Sequence, residues 1–354
     1  MKKILFIIPS LGGGGAERMF IKVVNWVDEH FVDVDIRVLL ISSKGINYSK
    51  IRPHIHIDVL DIKSIFRSII KVKRYIKDYK PDIVFSTITQ LNIMLSLIKL
   101  VSKNFVLISR ETNVITEEFK TNNYPFYYLW LYKLSLKVSD FKVFQSIDML
   151  EDAIKVSNLD NYKIINNCVD SVVDRPKMKK KELDTLNLIC IGRLEKQKGF
   201  DRLIKSIQNF YSGFELKLDI YGTGSESESL EKLAKDLNCG YRVNFKGYDD
   251  KVMSIINEYD LFILSSLHEG FPNAMIETLS YGVPVWSVDC KGGVNEIIND
   301  TNGRVFRDTD ELVQNLVRFK EYSYDRDLIW MDATTRFSES KARTEYLEVI
   351  KRFL

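Results

Sequence analysis

The sequence predicts an α/β protein made of two doubly wound domains that face each other across a cleft. The chain has 354 residues, which suits two domains of about 150–180 residues better than one. Short apolar segments alternate with amphipathic helical segments, which is typical of a parallel sheet with helices on both faces. This alternation stops at a polar stretch, residues 171–184, and then restarts.

The first series of elements lies in residues 1–173, which we assign to an N-terminal domain. The predicted elements are strands at Ile4–Ile8, Val34–Ile41, Ile83–Ser86 and Phe105–Ser109, and helices at Ala16–Glu29 and Ile65–Tyr79. The strands are short continuous apolar runs, as expected for strands that are buried on both faces. Gly12–Gly15 is predicted to form the loop after the first strand.

The second series lies in residues 174–339, which we assign to a C-terminal domain. Residues 171–184 are rich in Lys and Asp and contain Pro176, which predicts a linker. The predicted elements are strands at Leu186–Ile191, Leu216–Tyr221, Val243–Phe245, Leu261–Leu264 and Val285–Ser287, and helices at Phe200–Asn209, at Ser225–Leu237 and after Pro272. The pattern leaves open which domain the last helix, in residues 340–354, packs on; packing back on the first domain is one of the two arrangements.

Charge and composition exclude several classes of protein. The formal net charge of +3 and the pI near 8.4 are too small to indicate nucleic-acid binding. The four cysteines are scattered without metal-ligand spacing, so we expect free thiols in a reducing cytoplasm. The apolar run at the N-terminus stops at Pro9, which favours a strand over an export signal, and no apolar stretch approaches the roughly 20 residues that span a bilayer. We therefore expect a cytoplasmic protein.

The segment from Ser265 to Glu277 carries the clearest candidate site. A strand ends near Ser265, Gly270 permits a tight turn, and Pro272 suits the first turn of a helix. The N–H groups at a helix N-terminus bind anions, phosphate above all. Glu277 lies about 6 Å along that helix, placed to accept hydrogen bonds from a diol beside a bound diphosphate. Glu269, before the helix, would accept from sugar hydroxyls; the alternative is a pair of surface carboxylates near a helix start.

A second segment supplies positive charge. Arg193 falls at a strand end and Lys198 just before a helix, where the helix dipole disfavours cations. Their presence is explained if an anion lies between them and the helix, and together they would stabilise a departing nucleoside diphosphate without a metal. The alternative is a solvated basic loop.

Together these segments resemble the retaining glycosyltransferases of family 4, which have the GT-B fold of two Rossmann-like domains. The family's Glu-x7-Glu motif corresponds to Glu269 and Glu277, and its Gly-Arg-Leu-x-x-x-Lys-Gly element to Gly192–Gly199. The glycine-rich loop followed by Ala-Glu-Arg corresponds to Gly12–Arg18. The resemblance covers nearly the whole chain, and the combination of motifs is specific although each alone is not.

The resemblance implies a role for each matching residue. Glu277 would hold the ribose hydroxyls, Arg193 and Lys198 the diphosphate, and Glu269 the transferred sugar near its 3-hydroxyl, so that Glu269, Arg193 and Lys198 form the catalytic set. The full set of donor-binding residues is Gly14, Gly15, Gly192, Arg193, Lys198, Gly247, Tyr248, Glu269, Gly270, Phe271, Pro272, Asn273 and Glu277. The family retains the anomeric configuration and usually needs no metal, so no cofactor is expected. The leaving phosphate itself helps to deprotonate the acceptor.

The acceptor side departs from the family's pattern. Many relatives carry a histidine in the N-terminal domain that contacts the sugar's 6-hydroxyl, whereas His30, His54, His56 and His268 do not follow a predicted strand of that domain. Polar segments, Ser86–Asn92 and Ser109–Asn113, follow such strands instead. They resemble elements of surface-polysaccharide transferases that line the acceptor side. We therefore nominate Arg110, Glu111 and Asn113 as acceptor-side residues; the alternative is an ordinary polar loop.

Two other motifs are given no part in the site. Asp33-Val-Asp35 spells the Asp-x-Asp of metal-dependent transferases, but it precedes a predicted strand instead of following one. Gly222-Thr-Gly224 lacks the third glycine of a dinucleotide fingerprint. Ser225 and Glu228 after it are interpreted as a helix capping box.

Two segments raise the question of membrane contact. Lys63–Lys80 carries seven Lys or Arg residues and one acid, with apolar residues at helical spacing, and Tyr124–Lys137 is dense in aromatic residues. Both patterns fit either a core-facing stripe or contact with anionic lipid headgroups.

We therefore predict a retaining, metal-independent hexosyltransferase. Its donor is a UDP- or GDP-sugar, and its acceptor a lipid-linked or polysaccharide glycan of the cell surface. The partners are these substrates, with contact to the inner membrane surface and no nucleic acid. The alternatives are a sugar-nucleotide epimerase of the same architecture and a non-catalytic sugar-nucleotide-binding subunit.

Overall fold

The computed structural model describes residues 1–43, 45, 47–122, 124–170 and 184–354. Their contacts divide the chain into a first unit, Met1–Asn167 with Ser340–Leu354, and a second unit, Cys168–Glu339. Apart from Asp184, the linker predicted at residues 171–184 lies outside the described residues.

The first unit is built on a sheet of seven parallel strands. The strands are β1 (Lys2–Ile8), β2 (Val34–Leu40), β3 (His56–Val59), β4 (Ile83–Thr87), β5 (Val106–Arg110), β6 (Phe141–Phe144) and β7 (Tyr162–Ile164). Their order is β3-β2-β1-β4-β5-β6-β7. The order in which strands are added therefore reverses between β1 and β4. Doubly wound sheets bind ligands at such switch points.

Helices cover this sheet. They are α1 (Gly15–His30), α2 (Ile69–Tyr79), α3 (Thr89–Val101), α4 (Ile115–Asn122), α5 (Tyr127–Val138) and α6 (Ile147–Val156). The apolar stripe predicted for α2 faces the core, because Val72, Ile76 and Tyr79 are buried in the same hydrophobic cluster as Leu5 and Leu95. None of the described helices is long and apolar enough to cross a bilayer.

The second unit repeats the design with six parallel strands. They are β8 (Thr185–Ile191), β9 (Glu215–Tyr221), β10 (Val243–Gly247), β11 (Leu261–Leu264), β12 (Val285–Val288) and β13 (Gly303–Phe306), in the order β10-β9-β8-β11-β12-β13. The helices are α7 (Phe200–Gln208), α8 (Ser227–Asp236), α9 (Asn273–Leu279), α10 (Val294–Ile297), α11 (Thr309–Leu316) and α12 (Arg326–Arg336). The switch point lies between β8 and β11.

The last helix, α13 (Glu339–Lys351), packs on the first unit. Tyr346 is fully buried, and its ring centroid lies 6.2 Å from those of both Trp26 and Phe85. An ion pair of 3.0 Å joins Glu348 to Lys163.

The two predicted α/β sheets are confirmed, and each of the nine predicted strands is present. The predicted capping box is wrong. Helix α8 begins at Ser227 without a side-chain cap, and Ser225 Oγ instead donates to Glu195 Oε2 at 2.7 Å. Ser225 therefore ties the loop after β9 to the loop after β8.

Candidate functional site

In the second unit, the loops that follow β8 and β11 are fastened to each other. The backbone N–H of Leu267 donates to Gln197 O at 2.7 Å, and Ser265 Oγ donates to Lys198 O at 2.8 Å. Gln197 Nε2 also donates to His268 O at 2.8 Å. These two strands flank the switch point, so the bonds fix the two predicted motifs side by side at the carboxyl edge of the sheet.

The motifs meet in an ion pair between Lys198 and Glu269. Lys198 Nζ lies 2.6 Å from Glu269 Oε1, and the two side chains are only 17% and 8% exposed. The aliphatic stem of Lys198 lies across Gly192, where an added Cβ would come within 3.3 Å of it. Gly192 therefore makes room for the lysine. Mutual neutralisation lowers the cost of burying both charges.

Arg193 adds a second positive charge to the loop after β8. It follows β8 and is exposed. Within the described part of the chain, its guanidinium takes part in no hydrogen bond or ion pair. A planar cation with unused donors at the carboxyl edge of a sheet suits a phosphate ligand.

The loop after β12 supports Glu269 from the other side. The Glu269 N–H donates to Lys291 O at 2.8 Å, and the Gly293 N–H donates to Gly270 O at 3.0 Å. Gly292 has φ +121°, and a Cβ there would collide with Glu269 O; a Cβ on Gly293 would collide with the Phe271 ring. The sequence analysis missed this loop, although two consecutive glycines after a short apolar strand were the available signal.

Helix α9 starts directly beside this loop. Its N-terminus follows Pro272 and carries no side-chain cap. The dipole at a helix N-terminus favours negative charge. Glu277 lies one turn further along and is partly exposed. The Phe271 side chain is buried against Phe337, with ring centroids 5.8 Å apart, so only its backbone is available to a ligand.

The loops after β9 and β10 complete this edge. A Cβ on Gly222 or Gly224 would collide with the carbonyls of Gly192 or Leu194. These glycines therefore permit close backbone packing, which is a structural reason for the Gly-Thr-Gly motif. The Gly222 N–H donates to Gly247 O at 2.8 Å, and the Tyr248 side chain that follows is 56% exposed.

The glycine-rich loop of the first unit leads into α1. Gly14 is the N-cap residue and Gly15 the first helical residue. The Glu17 side chain turns back against the loop, and a Cβ on Gly14 would collide with its carboxylate. A third-position glutamate commonly reaches back in this way over a helix N-terminus.

The structure places Arg110 inside the first unit. Its side chain is fully buried at the end of β5. Nε donates to Tyr346 Oη at 2.8 Å, Nη1 to Thr87 Oγ1 at 3.2 Å, and Nη2 to Asn167 Oδ1 at 2.6 Å. Each nitrogen is therefore engaged by a neutral group of the protein.

Glu111 lies beside Arg110 in the chain and is also buried. Its carboxylate accepts from Thr89 Oγ1 at 3.0 Å and from Asn92 Nδ2 at 2.8 Å. Burial raises the pKa of Glu111 to about 7, and the two hydrogen bonds offset part of that rise. The third nominated residue, Asn113, is partly exposed, and its Oδ1 accepts from the Val114 N–H at 3.0 Å.

The structure thus brings Gly192, Lys198 and Glu269 into direct contact and turns Arg110 and Glu111 inward. Asp33 and Asp35 lie at the amino-terminal end of β2, opposite the edge that carries the other motifs. In the part of the chain that the structure describes, no three His, Cys, Asp or Glu side chains are grouped to hold a metal ion.

Residues 174–325 match the family model of the glycosyl transferases group 1. The chain is 30% identical over 249 residues to an uncharacterized glycosyltransferase of Methanocaldococcus jannaschii, covering 64% of this chain but only 60% of that relative. It is 24% identical over 313 residues to a Campylobacter jejuni enzyme, with 85% and 84% of the two chains covered. That enzyme is named as an N-acetylgalactosaminyltransferase acting on a diphospho-undecaprenol-linked sugar.

Solved structures match over the whole length. The chain superposes on Anabaena HepE, crystallised with UDP and glucose, with a TM-score of 0.81 and 16% sequence identity. The match covers 99% of this chain and all of HepE. At this identity the match establishes the fold, which is GT-B.

Proposed function

We propose that this chain, whose residues 174–325 match the glycosyl transferases group 1, is a member of that family, and that it transfers a hexose or N-acetylhexosamine, with retention of configuration, from a nucleotide-sugar to a lipid-linked or polysaccharide acceptor. The observation that carries this proposal is the Lys198–Glu269 pair beside the uncapped N-terminus of α9. It combines a cation for a phosphate, a carboxylate for a sugar hydroxyl and the start of a helix at one edge of the sheet.

The proposed chemistry divides between charge and positioning. The bond between the anomeric carbon and the phosphate oxygen breaks, the bond to the acceptor oxygen forms on the same face, and the acceptor's proton passes to the leaving phosphate. Arg193 and Lys198 stabilise the charge that develops on that phosphate. Because Lys198 is already paired with Glu269, Arg193 supplies most of the uncompensated positive charge. Glu277 holds the ribose, and no metal is required.

Substrate preferences follow from the relatives. HepE was crystallised with UDP and glucose, and the Campylobacter jejuni relative acts on a polyprenyl diphosphate-linked sugar. We propose a UDP-sugar as the favoured donor, with GDP-mannose as the second candidate, and a role in cell-surface glycan biosynthesis.

The test is a transfer assay in the presence of EDTA, with UDP-glucose, UDP-galactose, their N-acetylated forms and GDP-mannose. The acceptor is a polyprenyl diphosphate-linked sugar or a polysaccharide extract. We expect one donor to give a product whose anomeric configuration, read by NMR, equals that of the donor. An inverted product contradicts retention, and loss of activity with EDTA contradicts metal independence. An epimerised nucleotide-sugar favours the epimerase, and nucleotide binding without turnover favours the non-catalytic subunit.

We further propose that the first unit rests on the inner membrane surface. On α5, Tyr127 is 52% and Trp130 63% exposed, and Phe126, which precedes the helix, is 87% exposed. Exposed basic residues lie on the same helix and on α2: Lys71, Lys73, Arg74, Lys77, Lys133 and Lys137. Helix α3 contacts both helices. Each basic residue near an anionic bilayer contributes about 1 kcal/mol of attraction, and the aromatic rings favour the interface.

Flotation with vesicles tests this contact. We expect binding to phosphatidylglycerol-containing vesicles, little binding to phosphatidylcholine alone, and several-fold weaker binding for Phe126→Ala combined with Trp130→Ala. The matched control is Tyr211→Ala, which removes an aromatic residue that is 82% exposed in the second unit. Equal binding of the double variant and the control would contradict the proposed surface.

A further inference from the structure

The Glu269 carboxylate is held through one of its two oxygens. Ser266 Oγ donates to Oε1 at 2.5 Å, and Lys198 Nζ lies 2.6 Å from the same atom. Ser266 is completely buried, and Glu269 is 6% exposed. The sequence analysis assigned no role to Ser266.

The backbone of Glu269 is fixed as well. Its N–H donates to Lys291 O, and its carbonyl lies so close to Gly292 that a Cβ there would collide with it. The side chain therefore starts from a fixed Cα, and its remaining freedom is the rotation that decides where the carboxylate oxygens point.

The second carboxylate oxygen of Glu269, Oε2, has no partner among the described residues, because no hydrogen bond or ion pair that they form uses it. It is also not among the buried polar atoms without a partner, so Oε2 reaches the surface of the second unit. A carboxylate with one oxygen anchored and the other accessible is prepared to accept a hydrogen bond from a ligand.

Lys198 alone would not fix the direction of the Glu269 carboxylate. An ammonium group is a point charge on a flexible stem, whereas a hydroxyl on a short buried side chain donates in a defined direction. If Ser266 lost its hydroxyl, Lys198 could follow the carboxylate through a range of rotations. The ion pair would survive, but the direction of Oε2 would not be fixed.

We propose that Ser266 is a positioning residue, which holds Glu269 so that Oε2 accepts a hydrogen bond from a hydroxyl of the transferred sugar. This inference rests on the proposed function of the site. Because Ser266 would act on the sugar and not on the nucleotide, its loss should affect turnover and leave nucleotide affinity unchanged.

The experiment compares Ser266→Ala with wild type in donor turnover, followed by UDP release, and in UDP binding, followed by calorimetry. We expect kcat to fall about tenfold, which corresponds to about 1.4 kcal/mol, while the Kd for UDP stays within twofold. Ser266→Cys, with a weaker donor of similar size, should give an intermediate kcat. With a donor lacking the sugar's 3-hydroxyl, wild type and Ser266→Ala should become equal.

The matched control is Ser206→Ala. Ser206 is 4% exposed, and its hydroxyl also donates to a carboxylate, Asp310 Oδ1, at 2.6 Å. It lies on α7, so its loss should lower the melting temperature without lowering kcat. A similar fall in kcat for the control would show that general loosening is responsible.

The outcomes separate this inference from the proposed function. Turnover by wild type with an unchanged kcat for Ser266→Ala overturns the role of Ser266 and leaves the glycosyltransferase proposal intact. A loss of UDP affinity equal to the loss of kcat also overturns it, because the effect would not be specific to the sugar. If wild type binds UDP but turns over no donor, the proposed function fails and the inference fails with it.

Discussion

Two polar clusters, one in each unit, lie at the carboxyl edges of the two sheets, and they differ in which of their donors and acceptors have partners. In the first unit, all three nitrogens of Arg110 donate to protein atoms. In the second unit, Arg193 is exposed, and Oε2 of Glu269 makes no bond within the described residues. The first cluster therefore satisfies its arginine internally, whereas the second offers charged groups to a ligand.

The comparison shows that residue type at a strand end does not by itself identify a binding group. Arg110 and Arg193 both follow the pattern of an arginine at the end of a parallel strand, yet every nitrogen of Arg110 donates to a protein atom, whereas the Arg193 guanidinium donates to none of the described residues. The unpaired donors and acceptors distinguish the two sites, and they are visible only in the folded unit.

The first cluster includes a strained backbone position. Ile88, between β4 and α3, has φ +81°, which is costly for a β-branched residue. The N–H groups of Leu91 and Asn92 both donate to its carbonyl, and the Asn92 side chain holds Glu111. Strain of this kind persists only where the surroundings enforce it.

We expect the largest loss of stability when Arg110 is replaced, and this variant tests whether the first cluster is structural. Arg110→Met keeps the bulk but removes three buried hydrogen bonds, to Tyr346, Thr87 and Asn167, and a hydrogen bond to a charged group contributes about 1.5–3 kcal/mol. We expect the first unit to lose about 3 kcal/mol or more of unfolding free energy. Urea denaturation followed by the fluorescence of Trp26, which packs against Tyr346, measures this loss.

Arg193→Met is the control for that experiment. Because Arg193 is exposed, its replacement should leave the urea midpoint of both units unchanged. If Arg110→Met were as stable as wild type but failed to bind acceptor, Arg110 would be a ligand-binding residue and the contrast between the clusters would be lost.

Much of the fold is predictable because its central strands are mainly apolar runs bounded by polar residues. β1, β8 and β11 are recognisable from composition alone. The strands that escaped prediction have mixed composition or are very short: β6 contains the buried Lys142, whose charge is met by Asp160 at 2.7 Å, and β7 has three residues. Their strand character depends on neighbours in the sheet, which a local pattern does not contain.

The parts of the site formed by residues close together in the sequence could be predicted. The Glu269–Glu277 spacing and the Gly192–Gly199 element could be recognised, whereas the contact between Lys198 and Glu269 joins residues 71 positions apart. Ser266 and Gly292 were missed because their roles exist only once the loops after β8, β11 and β12 meet. The assigned roles of Arg193 and Glu277 stay predictions until a ligand is measured.

The measurement that tests the central claim most directly is calorimetric titration of UDP into wild type, Arg193→Ala and Glu277→Ala. The control is Arg318→Ala, an exposed arginine of the same unit that pairs with Glu321. We expect each site variant to weaken UDP binding by tenfold or more, about 1.4 kcal/mol, with melting temperatures and the control's affinity unchanged. Wild-type affinity for UDP in both site variants would contradict the placement of the donor site in the second unit.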